Sequence, residues 1–155
     1  MAKTILTILV SFMLFSDLFA HKTALPVPQN KIELSYVTNP EIGCGCSFAR
    51  NKTDLRLRRY IYIQGIDDPA YININGKNLE LQPVDSSELN GKVKVGTQAW
   101  ETFTAGDLKI RLDTTVTWVC PPNDESCEVT YYKAKLTVNG KGQEIKEMLT
   151  GHCGC

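Results

Sequence analysis

The chain has 155 residues, 17 Lys+Arg against 17 Asp+Glu, two His and six Cys, and is 43% hydrophobic and 22% charged. That length supports one domain, or one domain plus a short targeting piece. A balanced charge removes the simplest argument for nucleic acid or an anionic membrane surface as partner, and the apolar fraction is too high for disorder and too interrupted for a membrane-spanning protein.

Residues 1–20 read as a signal peptide. Lys3 is followed by the apolar run Ile5–Phe15, and Ala20 supplies a small residue at the exit before His21. Asp17 breaks the run too early for a transmembrane anchor, which needs about 20 apolar residues. All six cysteines lie after this leader. An even cysteine count in an exported chain reads as disulfides, so the expected location is secreted or periplasmic, without a stable membrane anchor.

Residues 21–30 contain Pro26 and Pro28 and little periodicity, and are expected to be an extended lead-in. A single domain over 31–155 follows. Its strand candidates are Ile32–Thr38, Leu55–Gln64, Tyr71–Asn75, Asn78–Gln82, Lys92–Val95, Ala99–Phe103, Leu108–Val119, Val129–Val138 and Gln143–Leu149. No window repeats apolar residues at helical spacing, and the short strands are separated by turn residues. The predicted fold is all-β: an antiparallel sandwich or small barrel, stapled by disulfides.

Three hairpins carry register information. Asn75-Gly76 suits a two-residue turn with both residues at positive φ, which sets Ile72 opposite Leu79 and Ala70 opposite Leu81 on one apolar face. Asn139-Gly140-Lys141-Gly142 reads as a four-residue loop placing Leu136 opposite Ile145 and Tyr132 opposite Leu149. The third joins Leu108–Val119 to Val129–Val138 through residues 121–126, with Cys120 facing Cys127 across the neck. That register groups Leu112, Val116 and Trp118 with Lys133 and Lys135, a parity conflict that a bulge near Lys133 would repair.

The most informative chemistry lies in Cys44-Gly45-Cys46 and Cys153-Gly154-Cys155. In extended chain, residues i and i+2 share a face, so two such doublets side by side bring four sulfurs together. Glycine between them permits close strand approach. One reading is a pair of disulfides joining the two ends of the domain. A second is a metal site for Zn or Cu built from Cys44, Cys46, Cys153 and Cys155, with His152 near, although a single intervening residue departs from the usual zinc spacing. A third is a strained, reducible bridge within each doublet. With the first reading, no cofactor is expected.

Other candidates read as structural. His21 falls at the expected mature N-terminus and His152 reads as a surface residue. Asp67-Asp68 and Asp124-Glu125 are acidic pairs in loops, with too few ligands in sequence for calcium. Arg50, Lys52, Arg56, Arg58 and Arg59, followed by Tyr60 and Tyr62, form a basic and aromatic run expected to face solvent on a strand. Asn51-Lys52-Thr53 fits a glycosylation acceptor. Trp100 and Trp118 are expected to be core anchors. Neither a nucleophile elbow nor a zinc-protease helix motif nor a phosphate-binding glycine loop occurs.

Paired Cys-x-Cys motifs also occur in metalloproteinase inhibitors of the tissue-inhibitor type, where the motif opens the mature chain. Here residues 21–43 precede it, so a protease-chelating role does not carry over. The reading is an exported non-catalytic domain that binds a protein or small ligand. A metal-binding protein and an enzyme with a loop-borne site are the alternatives.

Overall fold

The computed structural model describes residues 31–41, 43–87 and 92–155. The expected signal peptide and lead-in, with His21, lie outside them. The described chain forms β1 (Leu34–Ser35), β2 (Gly45–Ala49), α1 (Lys52–Arg56), β3 (Tyr62–Gly65), β4 (Ala70–Ile74), β5 (Lys77–Ser86), β6 (Gln98–Ala105), β7 (Leu108–Trp118), β8 (Val129–Gly140) and β9 (Gln143–Gly154).

Strands β2 to β9 pair antiparallel in a ring of eight, β2-β3-β4-β5-β6-β7-β8-β9, and β9 returns to β2. The fold is therefore a closed barrel, which leaves fewer open sheet edges than a sandwich. The extra strand β1 extends the wall: Tyr62–Gln64 of β3 pair with one end of β4, and Leu34 and Ser35 pair with Ile74 and Asn73 on the same edge.

Alternation along the strands fills the interior. Phe48, Tyr62, Ile72, Leu81, Ile110, Leu112, Leu136 and Val138 are each at most 2% exposed. Phe48 packs edge-on to Tyr62 at 5.8 Å, and Tyr62 lies 6.1 Å from Phe103. A second cluster of Val37, Ala49, Tyr60 and Ile63 forms outside the wall, with Leu55 and Tyr71 packed against it.

The Asn75-Gly76 turn has φ of 53° and 82°, and the register sets Ile72 against Leu79 and Ala70 against Leu81, as the sequence requires. The β8–β9 hairpin is tighter than expected. Lys141 and Gly142 alone form the turn, so Leu136 meets Glu147 and Val138 meets Ile145. The shift is by two residues, which preserves the buried face. In the third hairpin Leu112 pairs with Leu136, and the bulge lies in β7 between Val116 and Trp118 instead of near Lys133.

Other boundaries differ. The stretch predicted as one strand over Leu55–Gln64 divides into α1, a turn at Arg58 (φ 55°) and β3. Asn51 starts the helix: its Oδ1 accepts the Asp54 amide at 2.9 Å, and its Nδ2 donates to the Asp54 carboxylate at 2.7 Å. Lys92–Val95 is a loop, tied by Thr97 N–H to Lys94 O. The first predicted strand contracts to β1, after which Val37 N–H turns to Tyr60 O. Strand β2 is missing from the predicted strands because Gly43 and Gly45 weaken the strand signal at its start.

The closing pair β2–β9 covers only half of β9. Ala49 to Gly45 pair with Thr150 to Gly154, which leaves Gln143–Leu149 beside β1 without a continuous ladder. Side chains span this seam. Arg50 Nε donates to Glu147 at 2.7 Å, its Nη2 donates to Leu34 O at 2.8 Å, and its guanidinium lies over the Tyr36 ring at 5.1 Å. Ile32 N–H donates to Gln143 Oε1 at 3.2 Å.

Candidate functional site

Both cysteine doublets sit where the barrel closes. Cys46 pairs in register with Cys153, Gly45 with Gly154, and the bonds are Cys44–Cys155 and Cys46–Cys153. The antiparallel ladder thus decides the pairing that spacing left open. In this oxidised form none of the four sulfurs is a thiolate available to zinc or copper. Cys120–Cys127 closes the β7–β8 loop.

A different feature of the same end is a row of exposed aromatic rings. Alternation would send Trp118 inward after Val116, as expected of a core anchor. The bulge at Thr117 instead sets Trp118 opposite Tyr131, an outward residue of β8. Tyr131 in turn pairs with His152 of β9. The three rings form a row across the outer face of β7, β8 and β9, with centroids 5.6 Å and 5.9 Å apart and planes inclined at 67° and 61°. Trp118 is 40% exposed and Tyr131 42%, so large apolar rings remain in contact with water although a core is available.

Helix α1 stands beside this row and turns it into a groove of about 850 Å³, lined by Lys52, Leu55, Arg56, Thr117, Trp118, Tyr131, Thr150 and His152. Leu55 is anchored by the outer cluster, which fixes the helix against the wall. Lys52 and Arg56 are one helical turn apart on α1, exposed, and without an ion pair among the described residues. Arg59, by contrast, lies 3.9 Å from Asp54. Among the described residues no carboxylate lines the groove. Partial burial pushes the His152 imidazole below its ordinary range, so at neutral pH it is an uncharged donor and acceptor.

The remaining sequence candidates are dispersed. The basic run does not form a stripe: Arg50 lies in the β1–β9 seam, Lys52 and Arg56 belong to α1, and Tyr60 and Tyr62 are buried. Trp100 is also outside the core, stacked under Arg111 at 4.7 Å. Asp67-Asp68 and Asp124-Glu125 are exposed. Asn51 is committed to capping α1. Inside the wall, Glu101 opposes Leu112, and burial pushes its carboxyl up.

No family profile matches this chain, and neither a curated protein nor a solved structure matches it significantly.

The ring row was only partly legible beforehand. The parity conflict of the third hairpin announced a bulge, and a bulge in β7 rather than β8 is what carries Trp118 outside.

Proposed function

We propose that this protein is an exported, non-catalytic binding domain, secreted or periplasmic, that takes its ligand in the groove between α1 and the outer face of β7–β9. The row Trp118–Tyr131–His152 carries this reading. Exposed aromatic rings beside unpaired cations, with hydroxyls at the rim, suit recognition of a small amphipathic ligand, and the volume falls within the usual range of about 300–1,000 Å³ for such sites. The apolar leader and the three disulfides support export.

The test has two parts. Full-length chain expressed in an exporting host is expected outside the cytosol, beginning at His21; recovery from the cytosol with Met1 retained would refute export. Purified protein is then screened on mixed arrays of glycans, peptides and small organic acids beside the W118A/Y131A variant. Binding that the variant loses supports the groove, and binding that the variant keeps places the ligand elsewhere.

A further inference from the structure

The geometry points to a carboxylated carbohydrate, a short chain of uronic-acid-type sugars, as the occupant of the groove; this rests on the groove being the binding site. Three observations converge on it.

The first is the tilt of the rings. Trp118, Tyr131 and His152 meet edge to face at 67° and 61°. A flat heterocycle such as a nucleobase is best held between parallel ring faces, and inclined rings leave no parallel slot. They form a corrugated surface. The puckered ring of a sugar lays its axial C–H bonds on a single electron-rich face, so successive facets suit successive sugar residues.

The second is the rim. Thr117 and Thr150 supply hydroxyls, and Tyr131 supplies a phenol. His152, held uncharged by partial burial, offers one nitrogen as donor and one as acceptor. These groups serve a polyol, whose hydroxyls also donate and accept.

The third is charge. Lys52 and Arg56 line the wall opposite the rings, and among the described residues no acidic side chain lines the groove to neutralise them. An anion is complementary there, and a guanidinium matches a carboxylate by two parallel hydrogen bonds. The balanced charge of the whole chain supplies no wide basic field of the kind that holds a long nucleic acid along its phosphates. A single local cation pair fits a ligand with spaced carboxylates.

Calorimetric titration of the intact, oxidised protein tests this with four probes: an oligogalacturonate, an oligomannuronate, the methyl ester of the oligogalacturonate, and a short poly-glutamate peptide. At least one uronate is expected to bind, with the ester at least tenfold weaker. K52Q/R56Q, which alters only exposed side chains, should weaken the uronate by a similar factor and leave the ester unchanged. Equal affinity for acid and ester would overturn the requirement for carboxylate while leaving the groove as a sugar site. Binding of poly-glutamate alone, lost in W118A, would overturn the sugar and keep the groove. Failure of all four probes overturns the inference, and the array comparison of W118A/Y131A then decides separately whether the groove binds anything.

Discussion

Gly45 and Gly154 face each other across the β2–β9 ladder, and the cysteines on either side of one are bonded to the cysteines on either side of the other. Each glycine has a φ, 159° and 151°, that side-chain-bearing residues rarely adopt, and each lies against backbone: Gly45 against the Gln64 carbonyl and Gly154 against that of Glu128. The doublets are thus Cys-Gly-Cys because β2 and β9 each lie tightly against an outer neighbour, the main chain of β3 on one side and that leading into β8 on the other. Replacing either glycine by alanine should cost about 3 kcal/mol, from the strained φ and the displaced backbone. Urea unfolding of G45A and G154A would measure it. A loss under 1 kcal/mol would mean that the ladder yields locally.

The two bridges close nearly the same loop, with separations of 111 and 107 residues. In the chain-entropy picture the first of them contributes roughly 4–5 kcal/mol, and the second much less because the large loop is already shut. C44S/C155S and C46S/C153S should each cost roughly 2 kcal/mol or less, whereas the quadruple variant should lose more than the two pairs added together. Additive losses in denaturant titrations would show that the bridges act independently.

Arg50 substitutes for a missing ladder between β1 and β9. Its planar fork reaches Glu147 and Leu34 O at the same time, which a lysine ammonium does not reproduce. The Arg50–Glu147 pair is partly exposed, so R50K should cost only about 1 kcal/mol overall. The local effect is expected to be larger than the global one: hydrogen exchange at Ile32 to Ser35 should speed up in R50K while the β7–β8 amides stay protected. Unchanged exchange there would assign the seam to the β1–β4 pairing alone.

Glu101 and His152 give opposite pH signatures. Burial raises the Glu101 carboxyl above the usual 4.5, so the folded state favours its protonated form. Its contribution is complete below about pH 4.5 and is lost as pH rises through the folded value. Accordingly, E101Q should raise the melting temperature at pH 7 and change it little at pH 4. The His152 imidazole is lowered from 6.5 by burial, so its contribution holds above 6.5 and fades as pH falls toward the folded value. H152Q should flatten the stability loss between pH 6.5 and 5. Melting curves that shift in parallel at all these pH values would remove both assignments.

Much of the barrel follows from local rules that act within a few residues. Asn75-Gly76 dictated its turn and register, alternation marked β6, β7 and β8, and the spacing within each cysteine doublet placed both sulfurs on one face. Where a second rule competed at short range, the reading failed. Asn51 and Asp54 start a helix whose last two residues, Leu55 and Arg56, enter a stretch whose Leu, Ile and Tyr content favours strand, and glycine disguised β2.

Long-range contact decided everything else. Which sulfur meets which is set by the direction of β2 against β9, and those strands lie more than a hundred residues apart. Whether the sheet closes depends on β4 accepting β3 and β5 on its two edges, which local composition does not encode. The groove is the clearest case. One unpaired residue, Thr117, turns Trp118 outward, and the outer cluster anchors α1 facing it. Sequence periodicity reports which face a side chain takes relative to its neighbours in the chain; only the packed structure reports where a bulge reverses that face and what then stands across from it.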